Sequence, residues 1–272
     1  MSRTRQEGRG IARRIARRIA RRCVARASAL VLALLAAGPA EAQRRGRTPP
    51  PPPPAQAVPY DGRFTWARLR YGSADFSGFR REAPWSHDYP RGERNFTRIL
   101  QELTVVRVRT QESQVFALDD PRLAHYPVAY MAEAGYWRPT DAEVAGLQRY
   151  VAKGGFLVFD DFAGDAWGNF EAQMRRAFPA VRPVRLTAAH PVFDSFYRIP
   201  SIDMAHPYYG LPSVFYGFFA DNDPTGRMFA IANYNNDLSE FWEFADQGFF
   251  AVDETSTSYK FGINYVIYAL SR

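Results

Sequence analysis

The stretch from Thr140 to Asp161 constrains the fold of this chain more than any other. Thr140 is followed three residues later by Glu143, the spacing of a capping box at a helix start. Val144, Leu147 and Val151 then recur on one helical face. Gly154-Gly155 ends the helix with residues that tolerate left-handed backbone. Phe156-Leu-Val-Phe159 follows at once and runs into Asp160-Asp161. A strand apolar on both sides leaves no face for water, so helices must cover it above and below. A helix feeding directly into such a strand predicts a βαβ unit and a parallel sheet.

The rest of the chain from residue 60 keeps this rhythm. The pattern predicts strands over Phe64–Tyr71, Thr104–Val108, Pro127–Ala132, Val184–Leu186 and Arg227–Tyr234. Phe96, Ile99, Leu100 and Leu103 place a helix over 91–103. Phe170, Met174, Ala177 and Phe178 place another, stopped by Pro179. Tyr259, Ile263, Val266, Ile267 and Leu270 form the face of a C-terminal helix. Residues 195–225 break the alternation and read as an inserted loop or hairpin. The expected fold class is α/β, a doubly wound, mostly parallel, flavodoxin-like sheet with helices on both faces.

Charge separates this domain from what precedes it. The chain has 35 basic and 28 acidic side chains, a net of +7. Residues 1–42 hold ten Arg and two acids, which leaves 25 against 26 in the remainder. Arg44, Arg45 and Arg47 precede the domain as well, so from Thr48 onward the balance is 22 against 26. A nucleic-acid binder carries its positive charge on the folded part, so no nucleic-acid partner is expected. Residues 1–42 read as a signal peptide: an Arg-rich start, the apolar run Ala29–Ala37, and Ala40-Glu41-Ala42 as a small-x-small cleavage pattern. The run is too short for a stable membrane span, and an uncleaved anchor is the alternative reading. Residues 43–59, with six prolines from Pro49, read as a disordered Arg- and Pro-rich linker, or else as a stalk. Residues 60–272 then form a single exported domain, periplasmic or associated with the cell envelope. The one cysteine, Cys23, lies in the leader, so the domain has no Cys nucleophile, disulfide or Cys–metal site.

In open parallel sheets, ligands sit beyond the carboxyl ends of the strands. That rule selects Asp75 after the first strand, and Glu133, Tyr136 and Trp137 after the strand at Pro127. It also selects Asp160 and Asp161, and then Asn235, Asn236 and Asp237 after the late strand. Exposed aromatics at Tyr136, Trp137 and Trp242 are expected near this cleft. Neighbouring strand residues face opposite ways, so Asp160 and Asp161 share a pocket only if the chain turns between them. The alternative is that one caps the following helix and the other lines the site. Asp161 and His190 are the candidate catalytic pair, as base or metal ligand with an assisting imidazole. His87 and His206 lie in Pro- and Tyr-rich loops, His125 before Tyr126-Pro127 reads as a surface residue, and the alternative reading of His190, before Pro191, is a structural hydrogen-bonder. No two histidines have metal-ligand spacing, and neither a phosphate loop nor a nucleophile elbow occurs, so no metal and no cofactor are expected. Oxygen atoms of Asp75, Asp161 and Asp237 are the alternative, as ligands of Mg²⁺ or Ca²⁺.

Four segments carry a family resemblance: Ala117–Leu123, Thr140–Glu143, Gly154–Asp161 and His190–Tyr197. Together with the polar turn Asn233–Asp237, they resemble the bacterial domain-of-unknown-function 4159 family, from about Phe64 to the end of the chain. The resemblance implies a class I glutamine amidotransferase-like fold. Enzymes of that class use a Cys nucleophile after a strand, with a His base. Glu133-Ala-Gly-Tyr136 stands there in this chain, which puts glutaminase activity out of reach. The expected function is therefore a non-catalytic module of the cell envelope that binds a ligand or protein. A carboxylate- or metal-dependent hydrolase at the same cleft is the alternative, and a structural tether built on the proline tract is a third.

Overall fold

The computed structural model describes residues 59–72, 83–111 and 113–272, all within one unit, Pro51–Arg272. The signal peptide, nearly all of the linker and Asp75 lie outside the described residues. Among the described residues, no helix is long and apolar enough to cross a membrane.

Among the described residues, seven strands form one sheet: β1 Ala67–Arg70, β2 Gln114–Ala117, β3 Val128–Met131, β4 Phe156–Phe162, β5 Val184–Arg185, β6 Val214–Phe219 and β7 Met228–Tyr234. The helices are α1 Arg91–Leu103, α2 Asp141–Ala152, α3 Ala166–Ala177, α4 Leu238–Glu243 and α5 Val252–Leu270. The sheet order is β2-β1-β3-β4-β7-β6-β5. Pairing is parallel from β2 through β7 and antiparallel for β7-β6 and β6-β5. The class is α/β with a mostly parallel sheet.

Strand β4 shows why this sheet needs two helical layers. Phe156 and Val158 enter one core, with Phe96 of α1, Trp242 of α4 and Phe261 of α5. Leu157 and Phe159 enter the other, with Leu147 of α2 and Phe170 of α3. The period-two alternation of side chains thus feeds both faces. The capping box at Thr140 is formed in both directions. Gly154 follows α2 at φ +98°, a conformation that favours glycine.

Two expectations are corrected, and of the loop or hairpin expected over 195–225 the structure selects a hairpin. The strand placed at 104–108 is absent, and Val108 makes a lone bridge to Phe64. The edge strand is Gln114–Ala117, where Gln114 and Phe116 are buried and alternate with half-buried neighbours. Val105 is 100% exposed whereas Val108 is buried and Val106 half-buried, so the apolar run that signalled a strand is an irregular connection after α1. Within 195–225, β6 is the first arm of an antiparallel hairpin with β7. Gly217 disguised it, yet a Cβ there would meet Met228 Sδ and the Phe219 ring at 2.7 Å. Finally, Leu270 is exposed, whereas α5 buries Tyr259, Phe261, Ile263, Tyr265 and Tyr268 on a wider arc than one stripe.

Candidate functional site

The carboxyl ends of β3, β4 and β7 meet the loop before α1, and there the polar side chains gather. Arg68 of β1 fixes that loop. Its guanidinium pairs with Glu93 of α1 (Nε–Oε1 2.6 Å), both fully buried, and donates to the carbonyl oxygens of Trp85 (3.3 Å) and His87 (3.1 Å). This anchors the backbone of His87. The next residue, Asp88, adopts φ +62°. Glu133 (φ +45°) and Asp161 (φ +57°) are left-handed as well, so three non-glycine residues in a disfavoured conformation surround one imidazole.

His87 Nδ1 lies 2.8 Å from Asp161 Oδ2 and 3.4 Å from Asp88 Oδ1, and the His87 side chain is 39% exposed. Glu133 adjoins the same imidazole. Behind it, Asp88, Asp237 and Glu240 are buried. Asp237 caps α4, its Oδ1 accepting from Glu240 N at 3.0 Å. Glu240 accepts from the Tyr208 hydroxyl, and Ser239 Oγ donates to Asp88. Oxygen atoms of Asp88, Asp237 and Glu240 lie within 4.8 Å of one another, a crowding of carboxyls that a proton or a cation relieves.

The electrostatics follow from burial and crowding. Burial pushes Asp161 up to about 7, against the pull of His87 and with Asp88 and Glu133 adding to the rise. Burial and then Asp88 push Glu240 up to about 8 and Glu243 up to about 7. Asp237 rises through burial, Asp161 and Asp88. Burial opposes charge on His87, but Asp88 and Asp161 outweigh it and drive its pKa up to about 11. Burial and mutual repulsion thus leave these carboxyls holding protons more readily than they would in water.

Asp160 and Asp161 divide their roles in an unexpected way. The register of β4 shifts between Phe159 and Phe162. A bulge re-aims side chains, and here Asp161 turns to His87 while Asp160 stays fully buried. Asp160 Oδ2 accepts from Tyr130 Oη (2.6 Å), Leu238 N (2.9 Å) and Ser239 N (3.3 Å), and Oδ1 accepts from Asn233 Nδ2 (3.0 Å). Its capping role is real, but it caps α4 and not the helix that follows it. The start of α3 has no side-chain cap.

Other sequence-selected residues fall elsewhere. Trp137 is 0% exposed and stacks on Phe159 at 6.1 Å; Trp242 is buried among Phe96, Trp66 and Tyr130. Of the expected aromatics only Tyr136 is exposed, at 40%. Asn235 ties loops together, accepting from Gly164 N (3.1 Å) and donating to Pro212 O (3.3 Å). Asn236 is buried and accepts from Asp237 N at 2.8 Å.

His190 is not a partner of Asp161. Its Nδ1 accepts from Val192 N (3.2 Å) and its ring packs against Phe219 and Tyr268, where burial lowers its pKa. Tyr268 lies against Phe156, the first residue of β4, and Asp161 is five residues on. At about 3.3 Å per residue, His190 therefore sits by the opposite end of β4, roughly 16 Å along the strand from Asp161. The imidazole at the rim is His87, which the sequence placed in a Pro- and Tyr-rich loop and did not select. Asp88, Ser239 and Glu240 carried no motif, and only the meeting of distant segments reveals them.

A family model described as a domain of unknown function, DUF4159, matches residues 65–270. The chain belongs to the DUF4159 family. No curated protein matches it. The match spans β1 to the last residue of α5, so the whole acid–imidazole rim lies inside the DUF4159 domain. Chemically, this rim can hold a cation among its carboxylates, or place a proton on an imidazole that solvent reaches.

Proposed function

We propose that this DUF4159 domain is a binding module of the cell envelope whose ligand is positively charged. The convergence of Asp88, Glu133, Asp161, Asp237 and Glu240 on His87 carries this reading. An organic ammonium group docks against the outer carboxylates, Glu133 and Asp161, with exposed Tyr136 following the same strand end and Tyr208 bonded to the inner set. Aromatic faces and carboxylates together favour cations. The sheet order supports the flavodoxin-like, amidotransferase-like reading: β2-β1-β3-β4 with β7 as the fifth parallel strand, extended by the β6-β5 hairpin. The site then lies beyond the strand ends, where that fold binds ligands. Glu133 occupies the strand end where the amidotransferase nucleophile would stand. The leader and the proline-rich linker supply export and a spacer from the membrane or from a partner.

The test is thermal melting of the full chain with lysine-containing peptides or amino sugars, against their N-acetylated forms. A bound ligand at 100 times its dissociation constant adds about 2.7 kcal/mol. The charged forms raise the melting temperature and the acetylated forms do not, and Asp161→Asn with Glu133→Gln removes the shift. Equal shifts from both forms would overturn the reading.

One observation favours a hydrolase instead. His87, oriented by Asp161 at 2.8 Å and reachable by solvent, has the placement of a general base. Its high pKa keeps it protonated at neutral pH, and the nearby hydroxyl of Ser239 is buried and bonded to Asp88. Both features favour binding over catalysis. Ester or amide turnover that His87→Asn abolishes would reverse that preference.

A further inference from the structure

The carboxylates behind His87 are placed as the ligands of one ion. Asp88, Asp237 and Glu240 each offer an oxygen and His87 a ring nitrogen, and these four atoms lie within 4.8 Å of one another. Two ligands on opposite sides of an ion, each at about 2.1 Å, are about 4.2 Å apart, so small side-chain shifts close the set on a single centre. His87 Nδ1 and Asp88 Oδ1 are 3.4 Å apart. That is long for a charge-assisted hydrogen bond and matches the spacing of about 3.4 Å between neighbouring ligands of a tetrahedral ion.

A second observation does not depend on the charge count. Asp88 is only 4% exposed, its Oδ1 has no hydrogen-bond partner, and that atom faces the His87 nitrogen. Leaving a buried carboxylate oxygen without a donor is costly, and buried charges are paired or bind metals. The other ligands are held in place by their own contacts. Asp237 spends Oδ1 on capping α4, and Tyr208 fixes Glu240. Asp237 and Glu240, three apart at a helix start, project to one side.

We propose that His87, Asp88, Asp237 and Glu240 bind one divalent transition-metal ion, Mn²⁺ or Zn²⁺. This names the innermost cation of the rim and rests on reading the rim as a cation-binding site. An imidazole among the donors disfavours Mg²⁺ and Ca²⁺, which take oxygen ligands, and carboxylates with imidazole suit Mn²⁺ and Zn²⁺. The His87 nitrogen that ligates the ion must bind it without a proton. Glu133 and Asp161 form a second group around His87, and the organic ammonium group is assigned to that group, beside the ion.

The test strips the full chain with a chelator and dialyses it against Mn²⁺, Zn²⁺, Mg²⁺ or Ca²⁺ alone. Metal content is measured by mass spectrometry, and bound Mn²⁺ by electron paramagnetic resonance. Wild type takes up one Mn²⁺ or Zn²⁺ per chain. Asp88→Asn and Asp237→Asn bind roughly tenfold more weakly or worse, a loss at least as large as a misplaced supporting group causes. His190→Gln, at the far edge of the sheet, binds as wild type does. Circular dichroism of the metal-free variants checks folding. Should Asp237→Asn fail to fold, Glu240→Gln, whose carboxyl caps no helix, makes the same comparison. No uptake, equal uptake by wild type and the carboxylate variants, or a preference for Mg²⁺ or Ca²⁺ overturns the inference. If no metal binds while charged peptides still raise the melting temperature, the metal site falls and the rim reading stands. If neither binds, both fall.

Discussion

His87 and His190 stand at opposite edges of one sheet and meet opposite electrostatic fates. At the edge where β4 begins, His190 leans on Phe219 and Tyr268, and burial holds it below its ordinary pKa. Polar groups there are matched: the Tyr150 hydroxyl lies 3.0 Å from Tyr126 O and 3.2 Å from Phe156 O, and Arg227 donates to Val151 O and Gly155 O. At the rim where the strands end, the same residue type faces Asp88 and Asp161 and is driven up to about 11. One edge is built to close the core. The other crowds carboxyls together at the cost of their ionisation, and a cation bound among them would relieve that crowding. The difference comes from which segments arrive at each edge and not from any property of histidine.

The largest blow to this contrast comes from Arg68→Met. It strands Glu93 as a buried, unpaired carboxylate and releases the carbonyl oxygens of Trp85 and His87. Urea denaturation should show a loss of about 3–5 kcal/mol, most of it restored in the double variant Arg68→Met with Glu93→Leu. Next in size, Asp160→Asn should cost about 2–3 kcal/mol, since an amide cannot accept all the bonds that this carboxylate receives. Asp161→Asn, removing charge from the crowded side, should be neutral or stabilising at pH 7. If both variants cost the same, the division of roles between the two neighbours is wrong.

Gly155→Ala probes the closed edge. A Cβ there would meet the Tyr150 ring at 2.3 Å, so overpacking should cost about 2 kcal/mol while cation binding at the rim is unchanged. The smallest effect sharpens the comparison with a third histidine. Burial lowers His206 from 6.5 to about 4, so the folded state holds it neutral while the unfolded state takes up a proton first. Its contribution to stability is complete above about 6.5 and is lost as pH falls toward about 4, by about 1–2 kcal/mol. Denaturant midpoints between pH 7 and pH 4 should fall less steeply in His206→Gln than in wild type.

Much of the fold was legible because its signals are local. The capping box at Thr140, the apolar run of β4 and the spacing of Phe96 with Leu100 lie within single elements, and the elements formed where those patterns pointed. The rule that sites lie beyond strand ends selected Glu133, Asp161 and Asp237, which do meet at one rim. It also selected Trp137 and Asn236, which are buried by packing that no spacing announces. Edge strand β2 and hairpin strand β6 were hidden by Gln114 and Gly217, residues whose places only neighbouring strands justify.

What the amino-acid order determined by itself is the alternation of strand and helix, and hence a sheet covered on both faces, because period and capping act over a few residues. Which groups share the rim was decided by tertiary structure. His87 reaches Asp161 across 74 positions, Asp160 reaches Leu238 across 78, and Ser239 reaches Asp88 across 151. A bulge, three left-handed residues and the buried Arg68 anchor bring them to one place. The charge of a buried group is set by its neighbours in space, and those neighbours exist only once the sheet has closed.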